Sequence, residues 1–200
     1  AAGSQMHAWF SVELEDWEDV ILACMPLFHV YGTGILSTGL VGRNPLALVP
    51  NPRDLNDLVA TVRRTRPAFV PGVPTLFNAL LNHPDVQSGK VDCGSVKLCI
   101  SGASPLLLET KRRFEGITGG RMVEVYALTE SMAAAVVGPV HGDYKPGAVG
   151  LPAPDVEVRI ADPETGETEQ VLDEAGNPRF VTAHDFASAI RRACDPNLGS

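Results

Sequence analysis

The sequence predicts an α/β fold built on a mostly parallel sheet with crossover helices. Short apolar runs recur along the first two thirds of the 200 residues, and amphipathic helical patterns lie between several of them. This alternation favours parallel strands joined by helices. The composition, 44% hydrophobic and 6% aromatic, suits one sizeable core and excludes disordered, collagen-like and coiled-coil chains.

The predicted strands share an unbroken apolar character that is typical of strands buried on both faces. Each run is too short for a core helix. The predicted strands lie at residues 20–28, 45–49, 68–73, 96–101, 122–126 and 133–137.

Two helices have clear beginnings and ends in the sequence. The first follows Asp54, a good N-cap, carries apolar residues at helical spacing over residues 55–62, and is stopped by Pro67. The second opens at Pro74, because proline is tolerated at the first helical position, and ends at residues 83–84.

A third helix is predicted with Ser104 as its cap and Pro105 at its start, ending among the glycines of residues 116–120.

After these elements the sequence is loop-like, with one half-buried strand at residues 156–160 and a turn at residues 162–166. A short amphipathic helical pattern occupies residues 184–194 of the polar tail. Residues 1–160 are therefore predicted to form one unit, followed by a divergent tail at residues 161–200.

The charge and the cysteines exclude several classes of function. A net charge of −8 argues against nucleic acid and anionic lipid as partners. No apolar run has the roughly 18 residues of a membrane span, and residues 1–7 lack a leader pattern, so we expect a cytoplasmic protein, with peripheral contact at the inner membrane face left open. The four cysteines form no C-x-x-C pair, and two of them, Cys24 and Cys99, lie in apolar runs. This indicates buried, reduced thiols and not a zinc site or disulfides.

The segment after the first strand contains His29, Tyr31 and Gly32. Ligands in open α/β sheets bind at such strand-end loops. Taken alone, His29 is more simply a histidine that caps a strand end than a catalytic group. The spacing of Gly32, Gly34 and Gly39 does not match a dinucleotide fingerprint.

The segment Gly102, Ala103 and Ser104 joins a predicted strand to a predicted helix. Small residues allow a ligand plane or a phosphate to lie directly on the backbone, and a helix start attracts anions. A tight turn with a serine cap explains the same residues equally well. The segment is not a hydrolase nucleophile elbow, which needs G-x-S-x-G.

The segment from Tyr126 to Glu130 places a ring, the hydroxyl of Thr129 and a carboxylate within five residues. This set suits stacking on a base, bonding to a phosphate and holding Mg²⁺. The alternative is a helix that begins at Thr129 with Glu130 in its first turn. No Walker loop accompanies the segment.

In this order the segments resemble the acyl-adenylating, AMP-forming superfamily, in particular the long-chain fatty acid to CoA ligases. Residues 25–32 (M-P-L-F-H-V-Y-G) are similar to the family's P-L-F-H-x-x-G, and residues 101–106 (S-G-A-S-P-L) to S-G-G/A-A/S-P-L. Residues 126–130 (Y-A-L-T-E) are similar to Y-G-x-T-E, and residues 145–152 (K-P-G-A-V-G-L-P) to P-G-x-V-G-x-P. The similarity extends from residue 20 to about residue 160.

The resemblance implies a nucleotide site formed by residues 102–104, Tyr126 and Ala127. The small-residue turn would pack against adenine, and the tyrosine would stack beside it. The hydroxyl of Thr129 would bond the α-phosphate, and Glu130 would bind Mg²⁺.

The resemblance also implies an acid substrate. His29 would lie near the carboxylate that attacks ATP, while Tyr31, Gly32 and Val73 would help to wall the acyl pocket. The implied activity of the parent enzyme is ATP-dependent activation of a fatty or related carboxylic acid to acyl-AMP and then acyl-CoA, with Mg²⁺ and coenzyme A.

The sequence departs from the family pattern in two ways. Ala127 replaces the usual glycine, adding one methyl worth roughly 1 kcal/mol or less. The family's phosphate loop, its G-E-x-x-x-x-G-P run and its lysine-bearing small domain do not appear among these residues, and residues 182–185 (T-A-H-D) are only faintly similar to its T-G-D. We therefore expect residues 1–160 to be a partial AMP-binding domain, and a middle fragment that makes little acyl-CoA alone.

Two alternatives remain at this point. One is a non-catalytic remnant that retains nucleotide or acyl binding or an interaction surface. The other is an unrelated doubly wound hydrolase or dehydrogenase, against which the missing elbow and fingerprint count.

Overall fold

The sheet of the protein contains eight strands in the computed structural model, which describes residues 2–131, 133–142, 144–145, 148–161, 165, 168–170, 175 and 181–182. The strands of this sheet are β1 (Ile21–Ala23), β2 (Leu46–Leu48), β3 (Phe69–Gly72), β4 (Leu98–Ser101), β5 (Arg121–Leu128), β6 (Ala133–Val137), β7 (Ala148–Pro152) and β10 (Val181–Thr182). A separate two-stranded sheet is made by β8 (Arg159–Ala161) and β9 (Thr168–Gln170).

The order of the large sheet is β10-β7-β6-β5-β4-β3-β1-β2. Strands β1 to β5 pair in parallel, whereas β6, β7 and β10 pair antiparallel. The prediction of an α/β fold with a mostly parallel sheet is confirmed.

Six helices flank the strands in the described part of the chain. They are α1 (Ala2–Phe10), α2 (Val30–Gly42), α3 (Leu55–Thr65), α4 (Pro74–Asn82), α5 (Pro84–Gln87) and α6 (Leu108–Thr118). The two helices with clear sequence boundaries, α3 and α4, are confirmed. The carboxylate of Asp54 caps α3 by accepting the backbone N–H groups of Asn56 and Asp57, both at 3.1 Å.

The predicted start of the third helix is wrong. Helix α6 begins at Leu108, with Leu107 as its N-cap, so Ser104 and Pro105 lie outside it. The reason is that Leu106 is buried and its backbone N–H donates to the carboxylate of Glu124 at 3.2 Å, which holds this segment extended. The predicted end is confirmed, since Gly119 caps the helix with a φ of 73°.

Helix α2 replaces a predicted loop and apolar segment. Its glycines conceal the helical pattern, but they allow close packing. A Cβ on Gly32 would lie 2.2 Å from the carbonyl oxygen of Pro26, and one on Gly39 would lie 2.8 Å from the Leu46 side chain. Pro26 also belongs to the turn that leads into this helix, so the predicted strand at residues 20–28 is reduced to β1.

The antiparallel part begins where β5 turns back into β6. Residues 129–131 form this turn, so the alternative helix at Thr129 is wrong. Strand β8 overlaps the last two residues of the predicted strand at residues 156–160 and extends one residue beyond it. The helical pattern at residues 184–194 lies outside the described residues, as does the turn at 162–166 except for Thr165.

The core has two layers, one on each face of the sheet. Phe77 and Phe114 from the helices pack with Cys99 and Met122 on one face, and α1 and α2 contribute Phe10 and Ile35 to the other. Cys24 and Cys99 are both buried, as predicted. No helix in the described part of the chain is long and apolar enough to cross a bilayer.

Candidate active site

Four of the predicted site segments follow neighbouring strands of the parallel sheet. His29 comes after β1, Val73 after β3, Gly102 after β4, and Thr129 after β5. Because these strands are parallel and adjacent in the order β5-β4-β3-β1, their carboxyl ends lie at one edge of the sheet. The structure therefore brings the predicted site residues to a single edge.

The turn at Gly102 lies directly on its neighbouring strands. Its backbone N–H donates to the carbonyl oxygen of Gly72 at 3.2 Å. A Cβ on Gly102 would lie 3.3 Å from the carbonyl oxygen of Val125 and 3.6 Å from the ring of Tyr31. Glycine thus allows the turn to approach the backbone of β5.

The next two residues of the turn are exposed. Ala103 has a φ of 69°, in the left-handed region that alanine rarely adopts. Such a conformation costs alanine roughly 1–2 kcal/mol relative to its usual regions. Ser104 is also exposed and caps no helix. The turn thus presents backbone and a small side chain to solvent at the carboxyl edge.

Tyr31 lies behind this turn and joins two strand ends. Its hydroxyl oxygen lies 3.0 Å from the carbonyl oxygen of Gly72 and 3.1 Å from that of Ile100, and it accepts the N–H of Gly72 at 3.1 Å. Burial raises the pKa of the Tyr31 hydroxyl far above its ordinary value, so the group stays a donor. The geometry gives Tyr31 a structural role, and its predicted role in the acyl pocket stays a prediction.

His29 is exposed and is the N-cap of α2. Its Nδ1 atom accepts the backbone N–H of Tyr31 at 3.1 Å. In the neutral ring the proton then resides on Nε2, which makes that atom a hydrogen-bond donor for a ligand. The prediction that His29 has a capping role is confirmed, but the residue caps the start of a helix and not the end of a strand.

The segment from Tyr126 to Glu130 extends from the end of β5 into the hairpin turn. Tyr126 is half-buried and packs against Val136 of the next strand. Thr129 and Glu130 are exposed in the turn. The hydroxyl of Ser131 closes this turn by donating to the carbonyl oxygen of Leu128 at 2.9 Å. The hairpin therefore carries the hydroxyl and the carboxylate beyond the end of the parallel sheet.

Glu130 is a single carboxylate, and the described residues contain no group of three or more histidine, cysteine or acidic side chains that could hold a metal. Mg²⁺ is commonly held by one or two carboxylates together with substrate phosphates and water. An exposed glutamate such as Glu130 is suited to that mode of binding. It does not form a metal site by itself.

Sequence reasoning missed Glu124, which contacts two loops around the turn. One carboxylate oxygen accepts the N–H of Leu106 at 3.2 Å, and the other accepts the hydroxyl of Tyr144 at 3.4 Å. Burial raises the pKa of Glu124, although these two donors and the charge of Lys111 act in the opposite direction. The signal in the sequence was a carboxylate inside an otherwise apolar strand, residues 122–126.

Lys111 is the second polar residue that the sequence did not reveal. It is 7% exposed, and its ammonium donates to the Glu115 carboxylate at 2.7 Å and to the carbonyl oxygen of Met122. The same ammonium lies 4.6 Å from the centre of the Tyr144 ring. A buried lysine is tolerated because these groups replace its water.

Comparison with known proteins shows the family to which the sequence is similar. A family model described as AMP-binding enzyme matches residues 2–177. The long-chain-fatty-acid–CoA ligase of Bacillus subtilis (strain 168) is 34% identical over 167 residues, which are 83% of this chain and 29% of that protein. The corresponding ligase of Escherichia coli O6:H1 is 32% identical over 166 residues, with 82% and 29% covered. The chain thus spans less than a third of the length of these curated relatives.

Solved structures share the fold. ATP-bound MatB from Rhodopseudomonas palustris is 31% identical, with a TM-score of 0.68 over 84% of this chain and 32% of that one. A long-chain-fatty-acid–CoA ligase (FadD1) from Archaeoglobus fulgidus has a TM-score of 0.67 at 17% identity, over 91% of this chain and 43% of that one. The second likeness concerns the fold alone.

Proposed function

The chain belongs to the AMP-binding enzyme family, and from that premise we propose that it forms the nucleotide-binding part of an enzyme that activates a fatty or related carboxylic acid. The reaction consumes ATP and yields acyl-AMP, which coenzyme A then converts to acyl-CoA. The observation that carries the proposal is the contact between the turn at Gly102 and the backbone of β5 at Val125. This contact brings together, at one sheet edge, the two segments that would enclose a nucleotide.

The turn and the tyrosine would bind the base. Ala103 and Ser104 are exposed and have small side chains, so a flat ring could lie against this part of the turn. The ring of Tyr126 follows on the adjacent strand and offers a stacking surface. The match to ATP-bound MatB supports a nucleotide as the ligand.

The hairpin turn would act on the phosphates. The exposed hydroxyl of Thr129 would donate to an α-phosphate oxygen, and the carboxylate of Glu130 would hold Mg²⁺. The metal ion, when bound, neutralises phosphate charge. Charge neutralisation and positioning are what the attack of a carboxylate on phosphorus requires, so the step needs no protein nucleophile.

His29 would position the acid. Its Nε2–H is suited to donate to an oxygen of the substrate carboxylate, which attacks the α-phosphorus while pyrophosphate leaves. In the second step the thiol sulfur of coenzyme A attacks the acyl carbon, and AMP leaves. The fatty-acid class of the substrate is supported by the names of the curated relatives.

Calorimetric titration of the 200-residue chain with AMP tests the proposal. We expect weak binding that Tyr126→Ala reduces by roughly 1–3 kcal/mol through lost stacking. Tyr126→Phe is the matched control, since it keeps the ring and should keep most of the affinity. If AMP does not bind, or if Tyr126→Ala binds as well as the unaltered chain, the nucleotide assignment is wrong.

A further inference from the structure

Glu124 lies behind the nucleotide turn and not at the sheet edge itself. It stands opposite Ser101 in the register of β4 and β5. Side chains alternate along a strand, so Glu124 is on the same sheet face as Met122, which packs with Phe114 of α6. This carboxylate therefore approaches the turn at residues 102–106 from the face that α6 covers.

The turn is held at both of its ends by hydrogen bonds. At the near end the N–H of Gly102 donates to Gly72, and at the far end the N–H of Leu106 donates to Glu124. Between these points Ala103 and Ser104 are exposed. The hydrogen bond at the far end is made to one side chain, that of Glu124, while the buried side chain of Leu106 packs in the core beside it.

A polar network keeps the Glu124 carboxylate in place. The Tyr144 hydroxyl donates to it, and the Tyr144 ring covers the ammonium of Lys111. Lys111 is in turn fixed by Glu115, which also accepts the N–H of Met122 at 2.9 Å. Helix α6, strand β5 and the segment before β7 are thereby connected to the turn.

The space around this network excludes a ligand of its own. The cavity lined by Lys111, Glu124 and Tyr144 has a volume of about 20 Å³, which is room for one water molecule. Among the described residues, the turn at residues 102–106 is the segment through which this network can affect a nucleotide at the sheet edge.

We propose that Glu124 is a positioning residue of the nucleotide site, which tethers the far end of the 102–106 turn so that its backbone is prearranged for the base. This inference rests on the proposed function. A prearranged site binds more tightly because less conformational entropy is lost when the ligand enters.

Amide hydrogen exchange of the 200-residue chain tests the tether without any nucleotide. In Glu124→Ala we expect the Leu106 amide to exchange about fivefold to tenfold faster, which corresponds to one lost hydrogen bond. Glu124→Gln keeps an acceptor oxygen and should restore most of the protection. Glu18→Ala, an exposed glutamate, is the matched control and should leave Leu106 unchanged. Unchanged exchange at Leu106 in Glu124→Ala overturns the proposal.

A second measurement needs no variant, in case Glu124→Ala does not fold. The NMR resonance of the Leu106 amide in the unaltered chain should shift with pH as Glu124 ionises. The other titratable groups that face Glu124 are Lys111 and Glu115 on α6, and Tyr144. A Leu106 resonance that stays constant across the glutamate titration range overturns the tether.

Titration with AMP connects the tether to function. We expect Glu124→Ala to bind AMP about threefold to tenfold more weakly and Glu124→Gln to recover most of the affinity. Faster exchange at Leu106 with unaltered AMP affinity overturns the positioning role. Failure of the unaltered chain to bind AMP contradicts the proposed function, and the exchange data then report on the tether separately.

Discussion

The hydroxyl of Tyr31 contacts both backbone polar groups of Gly72, at 3.1 Å from its nitrogen and 3.0 Å from its carbonyl oxygen. The same carbonyl also accepts the N–H of Gly102. One residue at the end of β3 thus links α2, β3 and the turn at residues 102–106. These hydrogen bonds hold the three segments together at the sheet edge.

We expect Tyr31→Phe to destabilise the fold by about 1–3 kcal/mol, because it leaves the N–H of Gly72 without this acceptor in a half-buried place. Urea denaturation followed by circular dichroism measures the change. Ser11→Ala is the control and should cost less than about 0.5 kcal/mol, since it removes an exposed hydroxyl whose hydrogen bond to the carbonyl oxygen of Ala8 is long, at 3.4 Å. Equal losses in the two variants would contradict the role assigned to Tyr31.

The sequence indicated the parallel sheet because its strands are short and apolar and two of its helices begin at residues that are typical of helix starts. Asp54 and Pro74 mark helix starts by local chemistry that does not depend on the rest of the fold. The segments expected to form the site therefore lie where parallel strands end. This part of the arrangement was accessible from sequence patterns alone.

Helix α2 and the start of α6 could not be predicted from the sequence, because both depend on contacts between residues far apart in the chain. Helix α2 was not predicted because its glycines weaken the helical pattern. Gly32 and Gly39 allow close packing against Pro26 and Leu46, and no local sequence pattern reveals these contacts. The start of α6 shifted because Glu124, 18 residues away, takes the N–H of Leu106. Both errors arise where tertiary contacts override local propensity.

Gly32→Ala tests the packing of α2. The new Cβ would lie 2.2 Å from the Pro26 carbonyl oxygen, so the turn before α2 must move, at a cost of about 3 kcal/mol. Gly116→Ala is the control, since nothing lies within 4 Å of a Cβ in this helical position. That variant should gain about 0.5–1 kcal/mol. Similar thermal midpoints for the two variants would contradict the packing explanation.

Ala103→Gly tests the cost of the left-handed turn. We expect the folded chain to gain up to about 1 kcal/mol, because relief of the positive φ outweighs the greater entropy that glycine gives the unfolded chain. Ala8→Gly, at an exposed position in α1, should instead lose about 1 kcal/mol. A loss of stability in Ala103→Gly would show that the strain at this position is smaller than the entropy cost of glycine.

His29→Asn separates the two roles of the histidine. Asparagine is a strong N-cap, so α2 should keep its stability while the imidazole is lost. We expect AMP to bind unchanged and a non-hydrolysable acyl-adenylate analogue to bind roughly threefold to tenfold more weakly, because only the analogue reaches the acyl side. Equal effects on both ligands in calorimetric titration would contradict the placement of His29 beside the acid.

Glu124→Gln has a pH dependence whose sign follows from burial. Burial raises the pKa of Glu124 in the folded chain above its ordinary value of 4.5. Its contribution to stability is therefore fully present below the ordinary value and is lost as the pH rises through the raised pKa. Glutamine does not titrate, so Glu124→Gln lacks this pH dependence. We therefore compare the free energies of unfolding of the two chains. The excess of the unaltered chain over Glu124→Gln should fall as the pH rises from about 4 towards neutrality. Urea denaturation at several pH values measures this difference. A difference that stays constant with pH would mean that folding leaves the pKa of Glu124 unchanged. A difference that increases with pH would mean that Lys111, Tyr144 and the N–H of Leu106 outweigh its burial. Either result contradicts the prediction.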